Sequence, residues 1–477
     1  MCDPESLYRA SRGYVEASAG CGKTRLIAAA VARHADGCEL ILTHTHAGVN
    51  AIRRYLRELE ADPKRYSLST IDGLALLVAS SYPRASEIDA TRPPSGDEWG
   101  AVNLGAARAL EIPAIVKAIE ASFSGVLVDE YQDCSVQQHR LICSLTEHLP
   151  VRILGDPLQG IFDFRGNEPI DWDECVAGEF EELPSLETPW RWKNANRELG
   201  EWLSTVRELI KDQAPIDLRH APRDSVEWVQ IGIGSAEDAA RQQRVCRREA
   251  NPTRSVVGVF EMMQRCRKLA SRLRGLYFCA ERVDCPDLLV CARDIDEGYG
   301  IAKVQALVDL FSKCTTKIAP YVSDVVIRVA NGEELNPAGF GEKKRPYVQL
   351  ITEAAQDDGL IALGKLADQL ECVAEASFYR REPIWDIKTA LAAVAAGEHE
   401  SVHDAAWSIR DRLRRNGRSY SRNVLGTTKL VKGLQFDVAI LLDADKLEPR
   451  DLYVALTRPA TKLVVLSAKP VLEPAYT

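Results

Sequence analysis

The chain has 477 residues, enough for several domains, and its 46% hydrophobic and 27% charged content is ordinary for a globular protein. Its net charge of −9 argues against indiscriminate coating of nucleic acid but leaves room for a local basic groove. No apolar run reaches the length of a membrane span, and Met1–Pro4 does not begin a signal peptide. These features predict a cytoplasmic protein without a membrane partner.

The thirteen cysteines are scattered and show no zinc-type pair spacing, which predicts reduced thiols. Cys279, Cys285 and Cys291 are evenly spaced. That spacing is a weak indication of a metal site and is the alternative interpretation.

The first strand of the chain leads into a loop suited to phosphate. Gly13–Ala17 is a predicted strand, EASAGCGKT follows it, and Arg25–Arg33 is apolar at helical spacing. Backbone N–H groups of such a loop and the helix N-terminus can surround a triphosphate. Lys23 would reach the β- and γ-phosphates, and the Thr24 hydroxyl would bind Mg²⁺. Ala17 stands at the first glycine of the general pattern, so the loop alone is also compatible with a structural turn.

Strands and helices then alternate along the chain, which predicts βαβ units and a parallel sheet. The predicted elements are strands at Leu40–Thr45, Tyr66–Ile71 and Val151–Gly155 and helices at Val49–Leu59, Ala101–Ser122 and Ser135–His148.

A short apolar strand in the segment Gly125–Asp133 ends in two adjacent carboxylates, Asp129 and Glu130. Ligands of open α/β sheets bind beyond the carboxyl ends of the strands, where this pair would lie. One carboxylate can hold Mg²⁺ while the other positions and deprotonates a water. A solvated strand end is the alternative for an isolated Asp-Glu, but the phosphate loop favours the chemical interpretation.

A second α/β pattern begins at residue 188, is interrupted by a mostly helical stretch, and resumes near the chain end. Its predicted strands are Val226–Ile231, Ser255–Phe260, Val438–Leu442 and Leu463–Leu466. We therefore expect one domain at 1–187 with a small excursion near 83–122, a second at 188–284 and 416–477, and a helical insertion at 285–415. The arginine-rich segment Arg410–Arg418 favours a solvated helix face over a phosphate contact.

Eight motifs in order resemble those of the UvrD/Rep-like superfamily 1 helicases, to which the RecB and AddA nuclease-helicases are related. They are EASAGCGKT, in its RecB/AddA form, LTHTHAGVNAIRRYL, STIDGLALL, VDEYQD, GDPLQGIFDFRG, TPWRW, TTKLVKGLQF and LYVALTR. The resemblance covers about residues 13–192 and 424–468. It implies two RecA-like P-loop domains with parallel sheets and a small, mostly helical insertion, and hydrolysis of ATP coupled to DNA.

The resemblance also implies the roles of the nucleotide-site residues. Asp129 and Thr24 would bind Mg²⁺, and Glu130 would be the general base. Gln159 would contact the γ-phosphate, and Arg191 and Arg458 would approach it from the second domain. The cofactor-binding set is Ala19, Gly20, Cys21, Gly22, Lys23, Thr24, Arg25, Trp190, Gly433 and Gln435, with Trp190 stacking on the base.

DNA residues are likewise implied by the resemblance. Single-stranded DNA would cross both domains and lie near Thr43, His44, Thr45, Asp72, Phe162, Phe164 and Arg165. The two phenylalanines match aromatics that stack on bases, and core packing is the alternative for both.

Departures from the family pattern limit these expectations. No glutamine occurs in residues 1–20, so the adenine-reading element is missing or altered, and another NTP or dNTP can serve in place of ATP. Gln435 and Lys429 stand where the family usually has Glu and His. Both insertions are short. Because the family's insertions help to grip duplex DNA, the sequence leaves processive unwinding open.

The compact length and the Thr70–Gly73 form of the third motif resemble the helicase-like subunits of Gabija anti-phage systems. Their partner is an OLD-like ATPase that carries a Toprim nuclease, and this chain has no nuclease motif of its own. The predicted partners are therefore DNA, single-stranded or with duplex ends, and such a nuclease. The alternatives are a DNA-end or nucleotide sensor that regulates a partner nuclease, an RNA helicase, and an inactive scaffold, which the intact motif set disfavours.

Overall fold

The protein contains two six-stranded parallel sheets, which confirms the predicted α/β fold. The computed structural model describes residues 2–89, 94, 98–161, 168–232, 236–282, 285–356, 359–416 and 422–474. Phe162, Phe164 and Arg165 lie outside the described residues.

The first sheet has the strand order β3-β2-β4-β5-β1-β6. Its strands are β1 (Arg12–Glu16), β2 (Glu39–Thr43), β3 (Tyr66–Thr70), β4 (Gly125–Val128), β5 (Val151–Gly155) and β6 (Glu181–Glu182). Strands β2, β4 and β5 are buried along their whole length. Helices cover both faces of a sheet of this kind, so its central strands have no polar face.

The helices of this part are α1 (Pro4–Arg9), α2 (Lys23–His34), α3 (His46–Glu58), α4 (Ile71–Ser81), α5 (Pro83–Ser86), α6 (Glu98–Ala109), α7 (Pro113–Ser122) and α8 (Val136–Thr146). The single helix predicted at Ala101–Ser122 is wrong, because α6 ends at Ala109 and α7 begins at Pro113. Proline has no backbone N–H, so it begins a helix more readily than it continues one.

The second sheet has the order β10-β13-β9-β14-β15-β8, so strands from before and after the insertion are interleaved in it. Before the insertion come α9 (Trp190–Lys193), α10 (Arg197–Lys211), β7 (Ile216–Asp217), β8 (Val226–Gln230), α11 (Ala236–Glu249), β9 (Val256–Phe260), α12 (Met263–Leu273) and β10 (Phe278–Cys279).

The described residues of the insertion are mostly helical and include one short antiparallel strand pair. Its elements are α13 (Pro286–Glu297), α14 (Ile301–Cys314), β11 (Thr315–Thr316), α15 (Ala319–Ala330), α16 (Arg345–Ala354), α17 (Leu360–Glu371), β12 (Ser377–Phe378), α18 (Glu382–Ala395) and α19 (Val402–Asn416). After it come β13 (Asn423–Thr427), α20 (Thr428–Val431), β14 (Phe436–Leu441), α21 (Pro449–Leu456), β15 (Pro459–Ser467) and β16 (Val471–Leu472).

A buried ion pair joins the insertion to the second sheet. Glu281 follows β10, and its two carboxylate oxygens accept hydrogen bonds from Arg380 at 2.6 and 2.8 Å. Both side chains are almost fully buried, and Asp287 of α13 lies 2.8 Å from the same guanidinium. The pair therefore anchors the start of the insertion to the sheet.

Helix α19 of the insertion also packs against α3 of the first sheet. Arg410 on α19 is buried and pairs with Glu382 at 3.1 Å and Asp386 at 2.7 Å, so at this position the predicted solvated face is wrong. The insertion thus contacts both halves of the protein.

None of the helices in the described part of the chain combines the length and apolar character needed to cross a lipid bilayer.

The anchoring pair gives a stability prediction. We expect Arg380→Ala to lower the free energy of unfolding by about 3–5 kcal/mol, because it leaves the Glu281 carboxylate buried without its main partner. Arg197→Ala is the control, since Arg197 pairs with Glu201 on the exposed surface, and we expect a change below about 1 kcal/mol. Chemical denaturation measures both, and equal effects of the two variants would contradict a structural role for the buried pair.

Candidate functional site

The loop between β1 and α2 has the backbone geometry of a phosphate cradle. Gly20 and Gly22 have φ values of 74° and 89°, a left-handed conformation that glycine adopts without steric cost. A Cβ atom on Gly20 would lie 2.8 Å from Trp192 and 2.9 Å from Arg191. Both the conformation and the close packing therefore require glycine at this position.

The two polar side chains that end this loop point into the same site. Lys23 is 6% exposed, and its ammonium donates to the Ala17 carbonyl at 2.9 Å. Thr24 Oγ1 donates to Asp129 Oδ2 at 2.7 Å, which brings a hydroxyl and a carboxylate together beside the loop. Oxygen donors of these two types fit Mg²⁺, whose charge would neutralise bound phosphates. Ala19 and Cys21 of the predicted loop set are also buried.

Glu130 is held in an unusual backbone conformation beside Asp129, with φ at 57°. Gln132 Nε2 donates to its carboxylate at 2.6 Å. Burial and the adjacent Glu130 charge raise the pKa of Asp129 to about 7. Burial opposes ionisation of Glu130 too, but the charges of Lys23 and Lys432 outweigh it and lower its pKa to about 2. The Glu130 carboxylate is therefore ionised at neutral pH.

Two arginines from the second sheet reach this site. Arg458 is 1% exposed, and its guanidinium donates to Gln159 Oε1 at 3.2 Å. Arg191 donates through its backbone N–H to the Gly20 carbonyl at 3.1 Å and through its side chain to the Thr457 carbonyl. Burial and the charge of Arg191 lower the pKa of Arg458 to about 9. Two neighbouring cations of this kind favour an anion between them.

Trp190 has the position of a base-stacking platform. The residue is 46% exposed, and its indole lies against Gly22 of the loop. The Arg25 guanidinium lies 5.6 Å from the ring centroid and the Lys193 ammonium 4.3 Å from it. An exposed aromatic face beside a phosphate cradle fits a nucleotide base.

Gly433 and Gln435 lie in the exposed turn before β14, and Gly433 has a φ of 78°.

Several residues that sequence reasoning did not assign connect the two sheets across the site. Lys432 donates to the Asp133 carboxylate and to the Gln159 carbonyl. Tyr453 Oη accepts from the Ala19 N–H at 3.3 Å and lies 3.3 Å from Asp156 Oδ2, to which it donates. The Asp156 carboxylate and Tyr453 stand in quoted motifs, but nothing in their spacing indicated that they meet.

The described members of the predicted DNA set lie at the ends of neighbouring strands. Thr43 is the last residue of β2, His44 and Thr45 follow it, and Asp72 lies in the first turn of α4, directly after β3. Thr43 is 2% exposed, whereas Thr45 is exposed and caps α3 through the Gly48 N–H at 3.1 Å. Burial and the Lys432 charge lower the pKa of His44 to about 3, so this imidazole is neutral. Asp72 Oδ1 accepts from Asn103 at 2.8 Å and Gln138 at 2.9 Å.

Two parallel sheets that meet at a phosphate loop are consistent with two RecA-like domains. Residues 99–172 match the family model of the UvrD/REP helicase N-terminal domain, and this segment contains Asp129, Glu130 and Gln159. The match supports a UvrD-like superfamily 1 helicase and suggests ATP-dependent DNA helicase activity, which implies nucleotide, Mg²⁺ and DNA binding in general. A comparison with curated proteins gave no match.

The loop geometry gives a prediction with a matched control. Gly332 has a φ of 81° with no atom near its Cβ position, so Gly332→Ala tests the backbone cost alone. We expect Gly20→Ala and Gly332→Ala each to lower the free energy of unfolding by at least about 1 kcal/mol. Only Gly20→Ala should also abolish ATP hydrolysis, because its new methyl displaces Trp192 and Arg191. ATPase assays and chemical denaturation measure the two effects. Equal rates of ATP hydrolysis in the two variants would show that a methyl group at position 20 does not displace Trp192 and Arg191.

Proposed function

We propose that this chain is an ATP-driven DNA translocase or helicase of the UvrD-like family. It acts on single-stranded or tailed DNA, moves 3′→5′, and uses Mg²⁺ with ATP or another nucleoside triphosphate. The proposed domains are 1–187, 188–284 with 416–477, and the insertion 285–415. The helicase-domain match and the meeting of both sheets at one phosphate loop support the proposal.

The observation that carries the proposal is the contact between Arg458 of the second sheet and Gln159 of the first. Hydrolysis of a triphosphate builds negative charge on the transferring phosphoryl group and its neighbours. An arginine supplied to that group from a separate element contributes about 10³–10⁵ in rate. Because Arg458 and Lys23 belong to different sheets, the rate depends on how the sheets are placed.

Cross-cleft contacts also supply a route from hydrolysis to movement. Lys432 and Tyr453 of the second sheet bind Gln159 and Ala19 of the first. A phosphate that enters or leaves the cradle changes the balance of these contacts, so the cleft closes with triphosphate and opens after hydrolysis. Alternate closing and opening moves two DNA-binding surfaces relative to each other, which is translocation.

The site residues enter the proposal with separate roles. Lys23 binds the phosphates, Thr24 and Asp129 hold Mg²⁺, and Glu130 orients and deprotonates the attacking water. Trp190, with Arg25 and Gln435, contacts the nucleoside. Thr45, His44 and Asp72 lie beside the DNA backbone, and Phe162, Phe164 and Arg165 belong to the same proposed surface.

We further propose that the chain is the helicase-like subunit of a Gabija-type anti-phage system. Its partner would be an OLD-like ATPase with a Toprim nuclease, which supplies the cleavage. The sequence resemblance and the compact build support this narrower assignment. Among its described residues, the excursion after α4 contains the short helix α5 with α6 and α7, and one helical insertion interrupts the second sheet.

A second candidate function is a DNA-end or nucleotide sensor that regulates the nuclease without processive unwinding. The same compact build favours it, because insertions that are short for the family offer less surface to grip a duplex.

Hydrolysis tests the proposed active site directly. We expect ATP hydrolysis that single-stranded DNA stimulates, a loss of about 10²–10⁴ in Glu130→Gln from removal of the base, and a loss of about 10³–10⁵ in Arg458→Ala. Glu201→Gln, on the exposed face of α10, is the matched control and should hydrolyse ATP at the wild-type rate. A wild-type rate of ATP hydrolysis in Arg458→Ala would contradict the proposed role of Arg458 at the transferring phosphoryl group.

Strand displacement separates the motor from the sensor. We expect the isolated chain to unwind a duplex with a 3′ single-stranded tail but not one with a 5′ tail, and Glu130→Gln to unwind neither. Binding should weaken steeply as salt rises, because cations are released from the DNA backbone. DNA-stimulated hydrolysis without displacement of either substrate would favour the sensor.

A further inference from the structure

A cluster of side chains that can bind a metal lies outside the nucleotide cleft, on α8 and on the segment before β6. His139 and Cys143 are one helical turn apart on α8, and Glu179 lies between a π-helical turn at Asp173–Ala177 and β6. Within the part of the chain that the structure describes, this is the one group of three such side chains whose ligand atoms all lie within 4.8 Å of one another.

Two of the three distances between the cluster's side chains fall in the range of a tetrahedral metal site, and the third, between His139 and Glu179, is slightly longer. Cys143 Sγ lies 3.5 Å from His139 Nε2 and 3.4 Å from Glu179 Oε2, and Nε2 lies 3.8 Å from Glu179 Oε1. With Zn–S near 2.3 Å and Zn–N and Zn–O near 2.0–2.2 Å, tetrahedral geometry requires about 3.3–3.6 Å between ligand atoms. Sγ also lies 3.7 Å from His139 Nδ1, so without metal the sulfur lies over the imidazole ring, and metal binding requires the Cys143 side chain to rotate toward the ring plane beyond Nε2.

A buried tyrosine fixes the imidazole. Tyr131 Oη lies 2.8 Å from His139 Nδ1, and Tyr131 is fully buried. In the tautomer in which Nδ1–H donates to Tyr131 Oη, the lone pair of Nε2 is directed at the cluster, which is how histidine ligands of metals are commonly held. Arg12 donates to Glu179 Oε2 at 2.8 Å and fixes the carboxylate while Oε1 faces His139.

We propose that His139, Cys143 and Glu179 bind one Zn²⁺ ion, with water as the fourth ligand. Thiolate is a soft ligand that selects against Mg²⁺ and Ca²⁺, and a nitrogen, sulfur and carboxylate set is one that Zn²⁺ accepts. Binding releases the Cys143 thiol proton to solvent and forms the Zn–S bond without any change in oxidation state.

The site would brace the strand that carries the active-site carboxylates. Tyr131 directly follows Glu130 in the chain, so the ion, His139 and Tyr131 form a continuous line from the surface of α8 to the end of β4. The Glu179 ligand connects the same site to the segment before β6. This role is structural and independent of the proposed helicase activity.

Metal content and cobalt spectroscopy test the site on the tag-free full-length chain. After loading with Zn²⁺ and removal of excess metal, we expect about one zinc per chain. Co²⁺ loading should give a thiolate-to-cobalt charge-transfer band. Cys143→Ser should lose the zinc and the band, whereas Cys372→Ser, which removes an exposed cysteine elsewhere, should keep both. No retained metal in the wild type, or a band unchanged in Cys143→Ser, would overturn the proposal.

A second variant tests the tyrosine and does not depend on removal of a ligand. Tyr131→Phe should weaken Zn²⁺ binding about 10–100-fold, as loss of an outer hydrogen bond to a ligating histidine does. Tyr277→Phe is the control, since it also removes a buried hydroxyl, one that donates to the Cys246 carbonyl at 2.9 Å. Competition with a chelating dye measures the affinity, and circular dichroism shows that each variant is folded. Equal affinities of the two tyrosine variants would exclude the proposed ligand set.

Discussion

The carboxylate of Asp156 is fully buried, and groups from both sheets share it. Gln159 Nε2 donates to it at 2.8 Å from its own sheet, while Arg207 at 3.2 Å and Tyr453 at 3.3 Å reach it from the other. A buried charge costs several kcal/mol unless it is paired and hydrogen-bonded. The second sheet must therefore be positioned so that Arg207 and Tyr453 meet this carboxylate, and the same position brings Arg458 to Gln159.

The parallel sheets and the strand-end positions of Lys23, Asp129 and Glu130 could be predicted because each depends on local pattern. A buried apolar strand followed by polar residues fixes where those residues lie, whatever the rest of the chain does. Lys432, Arg207 and Tyr453 acquire their contacts only when the sheets are placed against each other. No spacing in the sequence encodes that placement, so these contacts were not found.

Patterns of charged residues predicted exposure less reliably than patterns of apolar residues predicted strands. Arg410 stands in an arginine-rich segment that favours solvent, yet it is buried against Glu382 and Asp386 of α18. The burial of Arg410 depends on where α18 places the carboxylates of Glu382 and Asp386, which the sequence pattern does not indicate. The His139–Cys143 spacing on α8 was visible in the sequence, but the distant Glu179 joins them only through the fold.

The backbone of Glu130 carries a cost that its neighbours must offset. A left-handed conformation in a residue with a Cβ is unfavourable by about 1–2 kcal/mol, and such strain is typical of functional positions. Glycine at position 130 would relieve that strain while removing the carboxylate. The chain therefore accepts lower conformational stability in return for a fixed position of the Glu130 carboxylate, which we propose as the base, and selection for stability alone would favour loss of this carboxylate.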